Sequence, residues 1–179
     1  MIFTETRISG VFLIELERRH DERGFFARQW CAEEMARAGL DPRVAQINTA
    51  RSSAVGTLRG LHYQKEPHAE VKLVRCTRGA VFDVAVDLRP ESPTFRQWFG
   101  AELSDESGRM LYIPEGCGHG YLTVAPNTDL VYQASVPYAP GSAAGIRYDD
   151  PAFDIVWPGV INVISPQDLK WPSFSLERT

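Results

Sequence analysis

The chain has 179 residues and a formal net charge of −4, which suits one domain with a substantial core and argues against nucleic acid as its main partner. No apolar run reaches membrane-spanning length and the N-terminus lacks the apolar core of a signal peptide, so we expect no membrane association. Three widely spaced cysteines, Cys31, Cys76 and Cys117, are interpreted as reduced thiols of a cytoplasmic protein rather than as a disulfide framework.

The first elements along the chain are a strand and a helix. Residues 11–16 are apolar and partly β-branched, which predicts a strand. Residues 31–38 are predicted to form the one convincing helix, because Glu33 and Arg37 are four residues apart and Gly39 follows at the position of a C-cap.

Short strands dominate the rest of the chain. Residues 71–77 alternate polar and apolar side chains, Arg78-Gly79 has turn composition, and residues 81–88 follow as a second strand, which predicts a β-hairpin. Four more strands are predicted between clusters of Gly, Pro, Asn and Ser: residues 95–103, 110–113, 121–124 and 130–136. Many short strands at this spacing indicate a mainly β sandwich or barrel with one or two short helices.

The whole chain, residues 1–179, is interpreted as a single domain. No internal repeat or low-complexity tract divides it. Residues 137–179 carry most of the late prolines and show little periodicity, so they are predicted to be a C-terminal extension packed on the barrel.

The segment LRGLHYQ, residues 58–64, followed by Lys72, carries the clearest chemical signal. We interpret these residues as one strand pair that collects a histidine, two cations and an aromatic side chain. His62 next to fixed positive charge is what an enzyme needs to remove a proton beside a carbonyl, because a cation stabilises the resulting oxyanion. Lys72 is expected to share the inward face of its strand with Val74, and Arg75 is expected on the solvated face.

Two spacings resemble motifs of the cupins, which are small double-stranded β-helices (jelly rolls): Gly56-x5-His62 and Gly108-x5-Pro114-x-Gly116-x2-His119. The resemblance implies that His62 and His119 lie at the mouth of one barrel. In metal-binding cupins a second histidine and a glutamate complete the ligand set, but here these positions are Gln64 and, one residue beyond the usual spacing, Glu70. We therefore expect no metal in the site, since two good ligands fall short of a metal centre.

Short motifs follow one another along nearly the whole chain in this order: residues 21–26 (DERGFF), 46–48 (QIN), 58–64 (LRGLHYQ), 72–75 (KLVR), 83–89 (DVAVDLR), 113–116 (IPEG), 119–120 (HG) and 165–168 (SPQD). Taken together they resemble the dTDP-4-dehydrorhamnose 3,5-epimerase family, whose members act on a nucleotide-linked 4-keto-6-deoxyhexose. The resemblance implies a homodimer with the cupin fold that uses neither a metal nor another cofactor.

The resemblance also implies four catalytic positions. His62 would be the base, and Asp168 would fix its tautomer and raise its basicity. Lys72 would stabilise the enolate at the C4 oxygen of the sugar. Tyr132 would return a proton from the opposite face of the sugar and so invert the carbon.

The substrate-binding positions that match the family are Arg23, Phe26, Gln46, Asn48, Arg59, His119 and Tyr138. Arg23 and Arg59 match arginines that contact the diphosphate and the sugar, and a guanidinium fork suits phosphate oxygens. Gln46 and Asn48 match contacts on the nucleotide side, and Tyr138 matches an aromatic residue that stacks on the base.

Four features depart from the family pattern, and all are expected on the ligand-binding side: Arg28, Ala143, Gln167 and the loop Cys117-Gly118. They leave the nucleotide and the sugar stereochemistry open. The alternatives are an epimerase that acts at C3 only, a 3,4-ketoisomerase on a related nucleotide sugar, a metal-dependent cupin oxygenase or isomerase, and a sugar-nucleotide binding module without catalysis. The intact set of four catalytic positions favours the 3,5-epimerase.

Overall fold

The computed structural model describes residues 1–175 of the chain. Their backbone forms short strands and two short helices, so the predicted mainly β fold is confirmed. The strands are β1 (Ile2–Glu5), β2 (Phe12–Glu15), β3 (Arg19–Asp21), β4 (Gly24–Phe26), β5 (Gln46–Ser52), β6 (Thr57–Gln64), β7 (Lys72–Arg78), β8 (Ala80–Asp87), β9 (Trp98–Ser104), β10 (Met110–Ile113), β11 (Cys117–Thr123), β12 (Thr128–Ala134), β13 (Ala143–Gly145) and β14 (Val163–Ile164). The helices are α1 (Ala32–Arg37) and α2 (Pro166–Leu169).

The strands form two large sheets and one separate hairpin. The first sheet is antiparallel throughout and has the order β1-β2-β10-β7-β12-β5. The second has the order β13-β6-β11-β8-β9, also antiparallel, and β14 joins β6 in parallel. Strands β3 and β4 pair with each other as a third, two-stranded sheet.

The main core lies between the two large sheets. Val74 and Leu111 of the first sheet join Val81 and Ala85 of the second in one cluster, and all four are fully buried. Alternation explains this arrangement, because every second side chain of a strand points to the facing sheet. Removal of this apolar surface from water is the main favourable contribution to folding.

The outer face of each large sheet is covered by a different part of the chain. Met35 of α1 joins Ile14 and Met110 on the outside of the first sheet. Ile146 and Phe153, from the segment after β12, cover the outside of the second sheet. Both sheets therefore bury apolar side chains on two faces.

Helix α1 forms where the sequence predicts it. It follows Cys31 and ends at Arg37, and Ala38 is its C-cap residue. Gly39 comes after the cap with a φ of +75°, a left-handed conformation that glycine adopts without the strain of other residues. The first turn carries Glu33 and Glu34 and the last carries Arg37, which complements the helix dipole. No helix within residues 1–175 is long and apolar enough to cross a membrane.

The predicted hairpin of β7 and β8 is wrong. Strand β7 belongs to the first sheet, between β10 and β12, and strand β8 belongs to the second, between β11 and β9. Gly79 turns the chain from one sheet to the other with a φ of +73°, and a Cβ at this position would lie 2.6 Å from Thr128 Oγ1. Alternation and turn composition predict where a strand ends, but the pairing of its edges depends on strands that are distant in sequence.

Several strand boundaries also differ from the prediction. Strand β9 begins at Trp98 rather than at residue 95, because Arg96 has a φ of +65° and interrupts the extended backbone. Strand β11 begins at Cys117, earlier than residue 121, because the glycines of CGHGYLT weaken the strand signal.

The segment after β12 packs on the second sheet. Its strands β13 and β14 both pair with β6, and α2 contacts β6 as well. Residues 176–179 lie outside the described part of the chain, and the interpretation of the chain as one domain with a C-terminal extension stays a prediction.

We expect Gly79→Ala to lower the free energy of unfolding more than Gly39→Ala does. The two glycines have similar positive φ angles of 73° and 75°, a conformation that costs an alanine about 1–2 kcal/mol. At Gly79 the new methyl group would also meet Thr128, whereas nothing lies within 4 Å of a Cβ at Gly39. Urea unfolding followed by circular dichroism measures both differences, and equal losses would contradict the close contact at Gly79.

Candidate active site

His62 and Asp168 are in direct contact. His62 lies on β6 with its side chain 44% exposed, and Asp168 lies on α2 with its side chain 5% exposed. The ring atom Nε2 is 2.6 Å from Asp168 Oδ1. Ser165 caps α2 and accepts a hydrogen bond of 3.0 Å from the Asp168 amide, which holds the aspartate in place. A half-exposed histidine oriented by a buried carboxylate can serve as a base.

The Asp168 carboxylate accepts hydrogen bonds from three groups. Oδ1 accepts from His62 and also from Trp171 Nε1 at 3.2 Å, and Oδ2 accepts from the Gly60 amide at 3.4 Å. Burial raises the pKa of Asp168, but the hydrogen bond and charge of His62, together with the other two donors, outweigh burial and hold the pKa below its usual value. The ionised carboxylate accepts a hydrogen bond from Nε2–H, which leaves the Nδ1 lone pair of His62 available to take a proton.

An irregularity in β6 puts Arg59 and His62 on the same side of the sheet. In a regular strand, residues three apart point to opposite faces. Here Arg59 is paired with Tyr121 and His62 with His119, two residues of β11 that share a face, and the register shifts between the pairs. Gly60 lies at this shift, where a Cβ would come within 2.6 Å of the β11 backbone. The glycine therefore allows both side chains to lie on the inward face of the second sheet.

The interpretation of His62 and Lys72 as parts of one strand pair is wrong. His62 lies on β6 in the second sheet and Lys72 on β7 in the first, so the two come from facing walls of the barrel. Lys72 shares the inward face with Val74 as predicted, is 7% exposed, and contacts the Glu70 carboxylate through its ammonium group. Arg75, expected on a solvated face, is half-buried, and burial lowers its pKa.

Tyr132 lies on the same face of the first sheet as Lys72. On β12 it is paired with Val74 of β7, and directly opposed residues of antiparallel strands point to the same side. Burial raises the pKa of Tyr132 and the charge of Glu70 raises it further, against the opposing charge of Arg59. The phenol therefore stays protonated at neutral pH and can donate a proton.

A second histidine–aspartate pair lies next to His62. His119 Nε2 is 2.8 Å from Asp83 Oδ1, and both side chains are buried. Burial raises the pKa of Asp83, and the charges of His119 and Lys72 oppose the rise. Asp83 was not predicted as a site residue from the sequence. An aspartate in the middle of the apolar strand AVFDVAVD was nevertheless a usable signal, because a buried carboxylate needs a hydrogen-bonding partner.

Gln46 and Asn48 lie on the inward face of β5. Asn48 is directly opposite Tyr132, and Gln46 is two residues away on the same strand. Gln46 Oε1 accepts a hydrogen bond from the Tyr138 amide, and the Tyr138 side chain is 63% exposed, so its ring is accessible to a ligand. Arg59 is also exposed and donates to a β5 carbonyl at 3.0 Å.

Arg23 and Phe26 stand apart from the other residues that match the family's binding positions. They lie on the β3–β4 hairpin, Arg23 in its turn and Phe26 at its end. Within residues 1–175, Arg23 forms its ion pair with Asp21 of the same hairpin, and Phe26 is 71% exposed. No hydrogen bond or ion pair in the described part of a single chain joins either residue to His62 or Lys72.

The structure gives the contacts or the exposure of the residues that depart from the family pattern. Arg28 forms an ion pair with Glu34 at 2.7 Å, Ala143 lies on β13 beside β6, and Gln167 is exposed on α2. Burial raises the pKa of Cys117 to about 12, so its thiol is not poised to act as a nucleophile.

The two weaker candidates for metal ligands have other partners. Gln64 donates to the His68 carbonyl at 3.1 Å and accepts from the Ala139 amide at 2.6 Å, while Glu70 contacts Lys72. Across residues 1–175, no group of three or more His, Cys, Asp and Glu side chains is arranged to hold a metal ion.

The chain is similar to known sugar-nucleotide epimerases in sequence and in structure. A family model described as dTDP-4-dehydrorhamnose 3,5-epimerase matches residues 5–175. A protein of that name from Sinorhizobium fredii is 43% identical over 178 residues, covering 97% of this chain and 89% of the relative. A dTDP-4-dehydrorhamnose 3-epimerase from Streptomyces niveus is 41% identical, covering 90% of this chain and 78% of the relative. The crystal structure of a dTDP-6-deoxy-D-glucose-3,5-epimerase from Legionella pneumophila, in complex with dTDP-4-keto-L-rhamnose, matches with a TM-score of 0.90 at 40% identity, covering 96% of this chain and 92% of that one.

We expect Asp168→Asn to destabilise the fold at neutral pH and to lose this effect in acid. The pKa of Asp168 in the folded chain is below its ordinary value of 3.8. Its charge therefore stabilises the fold above that value, and the stabilisation is lost as the pH falls through the folded-state pKa. Removal of a charged hydrogen-bonding partner costs about 1–3 kcal/mol. Urea unfolding over a series from neutral pH to about pH 3 measures the difference from the wild type.

Asp149→Asn is the matched control for this experiment. Asp149 pairs with Arg147 at 2.7 Å on the surface, and exposed pairs of this kind contribute about 0–1 kcal/mol. A difference for Asp168→Asn that stays constant over the whole pH series would contradict the ionised state assigned to Asp168.

Proposed function

Since the chain belongs to the dTDP-4-dehydrorhamnose 3,5-epimerase family, we propose that it is an isomerase that inverts C3 and C5 of dTDP-4-dehydro-6-deoxy-D-glucose. The observation that carries this proposal is the contact between the half-exposed His62 and the buried, ionised Asp168. Lys72 and Tyr132 lie on the facing sheet. Together the four groups supply a base, its orienting carboxylate, a cation and an acid, the set that proton removal beside a ketone requires.

The first step is removal of the proton from C3, next to the C4 ketone. Nδ1 of His62 takes the proton, because Nε2 is engaged with Asp168. The electron pair of the broken C–H bond moves into an enolate whose negative charge lies on the C4 oxygen. Lys72 stabilises this oxyanion, an effect worth about 3–4 kcal/mol in a preorganised site.

Tyr132 completes the inversion from the other side of the sugar. It belongs to the first sheet and His62 to the second, so a sugar bound between the sheets meets the base on one face and the acid on the other. The phenol gives its proton to C3 as the enolate returns to the ketone. The phenolate then regains a proton from solvent, and the half-exposed His62 releases its proton to solvent. The same cycle at C5, which also adjoins the ketone, inverts the second carbon.

The nucleotide part of the substrate is bound by Arg59 and by side chains of β5. The exposed Arg59 guanidinium forms charge-assisted hydrogen bonds with the diphosphate. Gln46 and Asn48 face the same interior and contact the nucleotide, while the exposed ring of Tyr138 stacks on the base. His119, next to His62 across the β6–β11 pair, contacts the sugar and phosphate side.

A second candidate function is epimerisation at C3 alone. The relative from Streptomyces niveus, named a dTDP-4-dehydrorhamnose 3-epimerase, is nearly as similar to this chain as the 3,5-epimerase from Sinorhizobium fredii, at 41% against 43% identity. The two functions share proton removal by His62 and return by Tyr132, and they differ in whether C5 also reaches the base. Exchange at each carbon distinguishes them.

We further propose that the protein works in the cytoplasm as a homodimer. Its three cysteines are all free, as suits a reducing compartment. The β3–β4 hairpin exposes Phe25 by 51% and Phe26 by 71%, and adjacent exposed aromatic side chains are typical of a contact surface. A partner copy would bury these two side chains. In such a dimer, Arg23 and Phe26 of one copy would contact the nucleotide bound in the site of the other copy.

We expect the wild-type protein, supplied with dTDP-4-dehydro-6-deoxy-D-glucose in D2O, to introduce deuterium at both C3 and C5. Each carbon loses its proton to His62 and regains one that derives from solvent. Proton NMR of the sugar resonances measures both sites. Exchange at C3 alone would assign the single-site epimerase, and no exchange at either carbon would overturn the proposed function.

The same assay separates the roles of base and acid. His62→Asn should lower exchange and inversion together by about 10²–10⁴-fold, whereas Tyr132→Phe should slow inversion more than exchange, because the base still removes the proton. Tyr148→Phe removes a half-buried phenol elsewhere in the chain and is the matched control, with both rates unchanged. Equal losses of exchange and inversion in Tyr132→Phe would contradict the assignment of acid and base to opposite faces.

We expect the double variant Phe25→Ser and Phe26→Ser to be a monomer with weakened nucleotide binding, because the exposed aromatic surface of the hairpin is lost. Size-exclusion chromatography with light scattering measures the mass, and titration with dTDP measures binding. The double variant Val156→Ser and Val160→Ser is the control, since these valines are 68% and 76% exposed on a different segment and should leave the dimer intact. A monomeric wild type would overturn the dimer proposal.

A further inference from the structure

Trp171 contacts both members of the His62–Asp168 pair. Its indole Nε1 donates to Asp168 Oδ1 at 3.2 Å. Its ring packs edge-on against the His62 imidazole, with the ring centroids 6.1 Å apart and the ring planes inclined by 68°. Trp171 lies two residues after the end of α2, so one short segment of chain supplies both the carboxylate and the indole that contact His62.

The indole and the imidazole donate to the same carboxylate oxygen. Asp168 Oδ1 accepts from His62 at 2.6 Å and from Trp171 at 3.2 Å, whereas Oδ2 accepts from the Gly60 amide at 3.4 Å. Two donors on one oxygen share its electron density, so the indole reduces the attraction between the carboxylate and the imidazole proton. Removal of the indole N–H would restore that attraction and favour the protonated imidazole.

Gly145 provides the space in which the indole sits. It lies on β13 directly opposite His62 of β6. A Cβ built at this position would overlap the Trp171 ring, to which its three nearest atoms all belong. The orientation of the indole against His62 therefore depends on the absence of a side chain at this one position of β13.

Other titratable groups near the pair lie on β6 and on neighbouring strands. Arg59 lies on β6 itself, His119 on β11 is bonded to Asp83 on β8, and Lys72 on β7 contacts Glu70. All of these groups remain when Trp171 or Gly145 is replaced. A change in the pH response of the pair in such variants would therefore arise from the indole.

We propose that Trp171 is a positioning residue, which acts through Asp168 to set the orientation and the basicity of His62. The inference rests on the proposed function in one respect, since it affects turnover only where His62 is the base. The indole itself takes no proton from the sugar and gives none to it.

Trp171→Phe tests the hydrogen bond, because phenylalanine keeps an aromatic ring above Gly145 and lacks the N–H donor. We expect the NMR titration midpoint of His62, assigned with His62→Asn, to move to higher pH, because Asp168 then stabilises the imidazolium more strongly. The acid limb of the pH profile of kcat/KM should move in the same direction, while KM at the pH optimum stays unchanged.

Gly145→Ala tests whether the position of the indole matters, without changing Trp171 itself. The added methyl group displaces the ring, so the His62 midpoint should again move to higher pH. Trp157→Phe is the matched control, because its Nε1 donates to the Tyr148 carbonyl at 3.0 Å, away from the pair. That variant should leave the midpoint and the pH profile where they are in the wild type.

An unchanged midpoint in Trp171→Phe, or an equal shift in Trp157→Phe, would overturn the proposal. A rise in KM with an unchanged midpoint would assign Trp171 to substrate binding and would overturn it as well. The NMR titration requires no substrate. If the wild type exchanges neither C3 nor C5, the proposed function fails while the titration still decides the role of Trp171.

Discussion

A buried carboxylate must be hydrogen-bonded, and the arrangement around Asp168 follows from this requirement. Its partners are the Gly60 amide and the His62 ring on β6 and the Trp171 indole beyond α2. The carboxylate thus fastens the C-terminal segment to a strand about one hundred residues earlier. The atoms that hold this segment on the barrel are also those that orient His62, so stability and the geometry of the site cannot be altered independently here.

The site also depends on a break in strand periodicity. A regular β6 would send Arg59 and His62 to opposite faces of its sheet. The register shift at Gly60 brings both to the inward face, opposite Tyr121 and His119 of β11. A side chain at Gly60 would meet the neighbouring backbone, so this glycine links the local shape of the strand directly to the composition of the site.

Local patterns in the sequence predicted local features well. Helix α1 and strand β10 follow from helical spacing and an apolar run, both of which involve neighbouring residues only. The β7–β8 hairpin was wrong because the edges of both strands are taken by partners far away in sequence. The motif resemblance predicted that His62 pairs with Asp168. The contacts of Asp83 and Trp171 were identified only in the structure, because they join residues that are distant in sequence: Asp83 contacts His119, and Trp171 contacts the His62–Asp168 pair.

The separation of β7 and β8 into different sheets bears on the chemistry. A hairpin of β7 and β8 would have put Lys72 and Asp83 in one sheet, and the charged groups of the site on one wall. Instead Gly79 carries the chain across the barrel, so that Lys72 and Tyr132 come from the first sheet while His62 comes from the second. An enolate is planar, and inversion requires that its two faces meet different groups. Under the proposed function, the stereochemical result therefore follows from which sheet each strand joins, and only secondarily from which residues the motifs contain.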